Sequence, residues 1–285
     1  VTNRVLGFLT DLGDVDDAVA NCKGVMLCIN PQATLVDITH KVTPFDVWEG
    51  SWYLKDTTRY FPSNAVFCAF VWPTVGMGAE MLALKNASGQ IYVVPNNGLI
   101  THAHQQSPIL EAYHVTASEV MWPDVADTFP GRDVIATAAA HLSNGFPIEE
   151  VGPAFDLDKI VLLPPTPLPV VNEDEIVGVI SLIDRNYGNV WTNVPEGWLT
   201  NNLQDGEAYC VSINGRSFPV PLQNVFGKVP QGEPLLYINS RGNLALGLNQ
   251  GSFAKRFGIE RGMDFRIQLR QMTHLNEIRR EKIAA

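Results

Sequence analysis

The sequence predicts an α/β protein: an N-terminal α/β/α sandwich domain built on a mixed sheet, followed by a C-terminal all-β, barrel-like domain. Three observations carry this reading. Strand-like and helix-like segments alternate early in the chain, a proline-rich stretch interrupts it after residue 163, and only short β-rich segments come after that stretch. The length of 285 residues suits two domains, each able to bury its own core.

The first apolar run, residues 5–9, ends at Thr10-Asp11-Leu12-Gly13, where Asp and Gly favour a turn after a strand. A helix should follow, because Ala18, Cys22, Val25, Met26 and Ile29 recur at helical spacing and Asn30-Pro31 stops it. Asp14 to Asp17 suit its positive N-terminal end. Residues 34–38 read as a second strand, 46–60 as a second helix and 65–71 as a buried third strand, the alternation of a parallel sheet. Residues 81–84 and 91–94 flank Asn86-Ala87-Ser88-Gly89, a hairpin connection that makes the sheet mixed. One more helix, over 133–142, places Val134, Ile135, Ala138 and Leu142 on one face and stops at Asn144-Gly145.

Pro164, Pro165, Pro167 and Pro169 can neither continue a helix nor sit in a central strand. Residues 164–172 are therefore read as a linker between an N-terminal domain, 1–163, and a C-terminal domain, 173–285. In the latter, residues 175–183, 207–213, 217–221, 235–239 and 244–248 are short, β-rich and separated by turn residues. The charged stretch 274–285 reads as a frayed helix or disordered tail.

Thirty acidic against twenty basic residues give a net charge of −10, which repels phosphate backbones and anionic lipid and argues against nucleic-acid or membrane partners. No apolar stretch reaches the roughly 20 residues of a bilayer span, and the N-terminus has no basic n-region or cleavage site, so a cytoplasmic protein is expected. Cys22, Cys28, Cys68 and Cys210 lack Cys-x-x-Cys spacing and read as buried free thiols.

The cluster Asp11, Asp14, Asp16, Asp17 stands where the first strand gives way to the first helix, the edge at which open α/β sheets bind ligands. A calcium site of the Asp-x-Asp-Pro-Gly-x-Asp-Asp kind would put Thr10 and Leu12 at acidic positions, so no metal is expected there. Asp11, which precedes the helix, is the acid expected to face a ligand. His102-Ala103-His104 lacks a nearby third ligand, and no Walker loop, dinucleotide fingerprint or nucleophile elbow occurs. Phe45, Trp72, Phe129, Tyr187, Trp191 and Phe226 lie in or beside Gly/Pro/Asn-bearing loops. Together with Asp184, Asn189, Ser240 and Arg241 they suit a planar heteroaromatic ring, a ribose diol and an amino-acid carboxylate.

Several ordered motifs resemble the S-adenosylmethionine (SAM) dependent halogenase and hydroxide adenosyltransferase family. They are Thr10-Asp11-Leu12-Gly13-x-x-Asp16-Asp17, Asp37-Ile38-Thr39-His40, Thr43-Pro44-Phe45-Asp46-Val47, Pro95-Asn96-Asn97-Gly98-Leu99, Ile183-Asp184-x-x-Tyr187-Gly188-Asn189-Val190-Trp191-Thr192-Asn193 and Asn239-Ser240-Arg241-Gly242. The resemblance implies a homotrimer that binds SAM between the N domain of one subunit and the C domain of its neighbour, with SAM a substrate and no further cofactor. It implies that Asp11 holds the ribose hydroxyls, that Phe45 packs on the ribose and sulfonium, and that Trp72, Pro73, Thr74, Val75, Phe129 and Gly131 surround a halide. It further implies Asp184 for the methionine ammonium, Ser240 and Arg241 for its carboxylate, Tyr187, Asn189, Trp191 and Phe226 around adenine, and backbone contacts from Asn249 and Gln250 to the adenine edge.

Members of this family displace methionine from C5′ with fluoride, chloride or a water-derived hydroxide. Hydrolytic members carry an Asp, an Arg and a His at places that here are Trp72, Ala79 and Pro130, so a group to deprotonate water is missing. Fluorinating members carry a long insertion after residue 80, a hydroxyl residue at Val75 and a Ser at Gly131; a tightly hydrated fluoride needs such donors. Gly131 matches the chlorinating members, although these usually have Tyr at Trp72. The expectation is a SAM-dependent chlorinase with chloride as co-substrate. The alternatives are hydroxide transfer giving adenosine, and a SAM- or adenosine-binding protein without turnover.

Overall fold

The computed structural model describes residues 5–199 and 203–269. The chain parts into two compact units between Pro164 and Pro165. The stretch 274–285, expected to be a frayed helix or tail, lies outside the described residues.

In the first unit, β1 (Val5–Thr10) leads to α1 (Ala18–Ile29), β2 (Thr34–Thr39), α2 (Val47–Thr58) and β3 (Val66–Phe70). β4 (Met81–Asn86) and β5 (Ile91–Pro95) form the expected hairpin, followed by α3 (Thr101–Gln106) and β6 (Ile109–His114). The strand order is β2-β1-β3-β5-β4-β6. β1, β2, β3 and β5 run parallel, and β4 runs antiparallel to both β5 and β6, so the sheet is mixed. Apolar layers cover both faces: Phe8, Cys22, Met26 and Ile135 on one, Leu9, Leu54, Phe67 and Tyr92 on the other. Each such fully buried large side chain contributes about 1.5–3 kcal/mol.

Several expectations need correction. α1 starts only at Ala18, and Asp17 at its N-cap makes no capping bond. Asp14 instead pairs with Lys41 at 2.7 Å, and Asp16 Oδ1 accepts the Ala18 N–H at 3.0 Å. These acids order the approach to the helix rather than its first turn. The last helix begins two residues earlier than the periodicity suggested: a π-helical stretch, Gly131–Ala136, runs into α4 (Thr137–Ser143). A wide turn breaks the 3.6-residue repeat that the pattern relies on. α3 and β6 are too short and too polar to have been recognised. Cys22 and Cys68 are buried free thiols, but Cys28 is exposed and Cys210 only partly covered.

The second unit opens with β7 (Val170–Val171), a two-residue strand on β8 (Glu175–Ile183), so the proline-rich stretch ends in sheet. It continues with β9 (Val190–Pro195), β10 (Ala208–Ile213), β11 (Arg216–Pro221), β12 (Pro234–Ile238), β13 (Asn243–Leu248), α5 (Phe253–Phe257) and β14 (Asp264–Gln268). The order β11-β10-β14-β8-β9-β13-β12 is antiparallel throughout. A bridge from Leu222 to Leu236 brings the two edges together, making a near-barrel around Tyr209, Phe253 and Phe265.

Among the described residues, no helix is long and apolar enough to cross a membrane.

Candidate active site

β1 and β3 are parallel neighbours with Thr10 opposite Phe70, so the chain leaves the sheet at one edge twice, at Asp11 and just before Trp72. This is the carboxyl edge where open sheets bind ligands. Asp11 Oδ2 accepts the Phe45 N–H at 2.8 Å. Phe45 has φ 70, a left-handed conformation that costs energy for a side chain with a Cβ, and the Asp11 bond holds it there. The residue is 68% exposed, an unusual setting for Phe and a ready apolar platform.

Trp72 is 8% exposed and belongs to the apolar layer that includes Phe8, Phe70 and Val120; Leu12, Ala79 and Phe129 pack against the same layer. Its indole Nε1 is buried without a hydrogen-bond partner among the described residues. Pro73, Thr74 and Val75 lie on the exposed turn that follows, closed by the Met77 N–H donating to the Thr74 carbonyl at 3.0 Å. The structure therefore groups Trp72 with Phe129 but leaves Thr74 and Val75 at the surface of this unit.

Gly131 opens the π-helical stretch, and the Arg132 and Asp133 N–H groups that follow it both donate to the Phe129 carbonyl, at 3.0 and 3.2 Å. A Cβ there would meet Phe70 ring carbons at 2.8 Å, so only glycine fits beside that ring. The preceding loop is locked by an ion pair with two contacts, Arg132 Nε to Asp133 Oδ1 at 2.6 Å and Nη2 to Oδ2 at 2.9 Å. Asp133 Oδ2 also accepts the Ala126 N–H at 2.9 Å. Burial works to raise the Asp133 carboxyl, but the Arg132 guanidinium and the Ala126 amide outweigh it and hold the group below its usual range. The Arg132 guanidinium lies 5.1 Å from the Phe129 ring centre. The sequence reading did not anticipate this support.

In the second unit a cleft of about 730 Å³ is lined by Tyr187, Asn189, Phe226, Asn249 and Gln250. Asn186, Leu248, Gly251 and Ser252 complete its wall and were not anticipated. Ser252 had a readable signal, since its side chain caps α5 by accepting the Lys255 N–H. Asp184 folds the loop beside the cleft: Oδ1 accepts the Asn186 N–H at 3.0 Å, and Oδ2 accepts from Asn189 Nδ2 at 3.2 Å. That leaves Asn189 Oδ1 as a buried acceptor without a donor among the described residues. Asn189 and Phe226 both close on the backbone of β13, each 2.7 Å from where a Cβ on Gly247 would stand. Asn249 spends its own groups locally: its N–H goes to the Glu233 carbonyl, its side chain to Val229, and its carbonyl accepts from Gly232. Gln250, at φ 57, turns the chain at the cleft wall.

Trp191 and Arg241 sit together, the guanidinium 3.9 Å from the ring centre. Asn239 shapes their turn by accepting the Arg241 and Asn243 N–H groups at 2.9 and 3.1 Å, which leaves Ser240 exposed at the tip. The two histidines singled out for spacing are engaged elsewhere: His102 Nδ1 lies 2.9 Å from Ser51 Oγ, and His104 Nδ1 accepts the Ile109 N–H. Among the described residues, no group of three His, Cys, Asp or Glu side chains could hold a metal ion.

Residues 6–152 match the family model described as the SAM hydroxide adenosyltransferase N-terminal domain, and residues 178–266 match its C-terminal domain. The chain is 36% identical to a fluorinase from an Actinoplanes species, over 92% of this chain and 96% of that one. It is 34% identical to an (R)-S-adenosyl-L-methionine hydrolase from Thermus thermophilus, over 93% of this chain and 99% of that one. A crystal structure of an uncharacterized conserved protein from Thermotoga maritima superposes with a TM-score of 0.87 at 31% identity, covering 92% of this chain and 99% of the other.

Proposed function

The chain belongs to the SAM hydroxide adenosyltransferase family, and from that premise we propose that it consumes SAM at C5′ with chloride as the nucleophile. The products are 5′-chloro-5′-deoxyadenosine and L-methionine. A chloride lone pair forms the C5′–Cl bond while the C5′–S bond breaks, and its electron pair neutralises the sulfonium to the thioether of methionine. No proton moves, so the step needs no acid or base.

The observation that carries the choice of chloride is the apolar character of the N-terminal half of the site. The places where hydrolytic members keep Asp, Arg and His are here Trp72, Ala79 and Pro130; Trp72 lies in one apolar layer, and Ala79 packs against it together with Phe129. A water held among such groups has no base to activate it, whereas an anion needs only positioning and dehydration. The unpartnered Trp72 Nε1–H suits a large, weakly hydrated anion, since an unmet buried donor is costly. Gly131 lets the apolar Phe70 ring come close to the backbone, where a Ser would push it away. The alignments with fluorinases run over 289 to 292 positions, more than this chain possesses, which agrees with an insertion that this chain lacks.

For the remainder of SAM, Asp11 receives the ribose hydroxyls on the oxygen not used by Phe45, and Phe45 covers the ribose. In the cleft of the second unit Tyr187 and Phe226 sandwich adenine, with Asn189 in the wall beside it. Arg241, steadied on Trp191, with Ser240 receives the methionine carboxylate, and Asp184 its ammonium. The working form in this reading is a homotrimer, tested by its mass in solution.

Incubating the protein with SAM and chloride, bromide or fluoride, and identifying the nucleoside, tests the reaction. A chloride-dependent chloronucleoside is expected. Adenosine alone whatever the halide would establish hydroxide transfer instead, and saturable binding without product would make the chain a SAM sensor.

A further inference from the structure

We propose that His40 is a positioning residue for the ribose-binding carboxylate: it pins both ends of the Asp11 turn and thereby aims Asp11 and Phe45 at the ribose diol. This rests on the ribose role given to Asp11 above. His40, just past β2, is buried. Its side chain reaches one end of the turn, with Nδ1 2.9 Å from Thr10 Oγ1, and its carbonyl reaches the other, accepting the Gly13 N–H at 2.6 Å. Thr10 Oγ1 also accepts the Leu12 N–H at 3.3 Å, so the fully buried hydroxyl joins the imidazole to the middle of the turn.

The proton arrangement follows from the neighbours. Nε2 lies 3.2 Å from Asp37 Oδ1, off the line of a good hydrogen bond, yet the negative charge there keeps the ring proton on Nε2. Asp37 is itself held by Lys23 Nζ, 2.6 Å from Oδ2. Nδ1 is left as an acceptor, and the Thr10 hydroxyl donates to it while accepting from Leu12. Phe8 fixes the ring plane by edge-on contact at 4.6 Å. The relay Lys23, Asp37, His40, Thr10 thus ends on the backbone that presents Asp11, whose other contact holds Phe45 in its left-handed conformation. None of these groups needs to touch substrate; they set where the carboxylate points.

Thr10→Val keeps the buried volume and removes only the hydroxyl, and His40→Phe keeps the ring but removes both nitrogens. Calorimetric binding of SAM and of its 2′,3′-dideoxy analogue to the full-length protein separates positioning from general damage. The wild type is expected to bind the dideoxy analogue about tenfold or more weakly, because hydrogen bonds to a carboxylate are lost. In either variant that discrimination is expected to shrink to roughly threefold or less, since misaimed Asp11 no longer couples to the diol. Variants that weaken both ligands equally while keeping the wild-type ratio would overturn the role of His40 alone. A wild type that does not discriminate would remove the ribose role of Asp11, and this proposal with it. Should His40→Phe not fold, Thr10→Val decides the question.

Discussion

Gly131 can be tested by its size. Replacing it with Ala places a methyl 2.8 Å from two ring carbons of Phe70 and 3.0 Å from a third. Ordinary contact requires those carbons to retreat by roughly 0.6 Å or more. Phe70 is 4% exposed and leans on the fully buried Phe8, ring centres 5.9 Å apart, so little room exists for that retreat. Overpacking of this kind costs about 2 kcal/mol, which lowers the melting temperature of a domain this size by roughly 4 to 8 °C. The same displacement shifts the anion relative to C5′, and a misplacement approaching 1 Å costs about 100-fold in rate. Gly131→Ala and Gly131→Ser are both expected to lower kcat/KM for chloride by about 10- to 100-fold, measured as chloronucleoside formed at fixed SAM. Only Gly131→Ser, which adds a donor, should raise fluoride turnover relative to chloride. Chloride kinetics and melting temperatures that match the wild type in both variants would refute the placement of the anion beside Gly131.

Further expectations concern stability and the second unit. Burial, with Lys55 adding to it, brings the His102 pKa down from 6.5 to about 4, so the native state prefers the neutral ring. Stability is therefore full above pH 6.5 and falls as the pH drops toward 4, by about 3 kcal/mol in total; urea unfolding across that range should show the slope reduced in His102→Phe. Gly188 has φ 66, and a Cβ there would run into the Ser252 hydroxyl at the cleft wall. Gly188→Ala is expected to weaken SAM binding at least about tenfold, read by calorimetry, because strain and collision reshape the cleft. Asp46 caps α2 by accepting the Glu49 N–H at 3.0 Å. Asp46→Ala should cost about 1 kcal/mol in chemical unfolding, a loss that a substitution to Asn would largely restore.

Elements whose burial is one-sided or complete were legible in the sequence. β1, β3 and the β4–β5 hairpin read correctly because apolar runs bounded by Gly, Asn and Pro admit few other structures. α3 and β6 escaped because Thr101-His102-Ala103-His104 owes its burial to Ser51 and the tryptophans of α2, a tertiary fact with no local signature. Candidate site residues were legible as motifs, but their support was not. The Asp11 bond to Phe45 joins positions 34 apart, and the left-handed Phe45 has no propensity signal at all. Asn249 looked like a ligand contact, and the structure commits most of its polar groups to the neighbouring loop. Cys28 was expected to be buried as a free thiol, although it falls outside the apolar stripe of α1, and it faces outward.

The wide turn at Gly131–Ala136 carries an implication for how this half of the site could be lost or remade. A π-helical stretch holds one residue more than the α-helical path it replaces. Deleting a single residue there would let the segment relax into a regular helix that continues α4, with the flanking chain left in phase and the wide turn beside Phe129 lost. Chain length in these six positions, as much as their chemistry, therefore sets the shape of the backbone around Gly131, and a one-codon deletion would be a shorter route to a stable protein with that shape erased than any substitution.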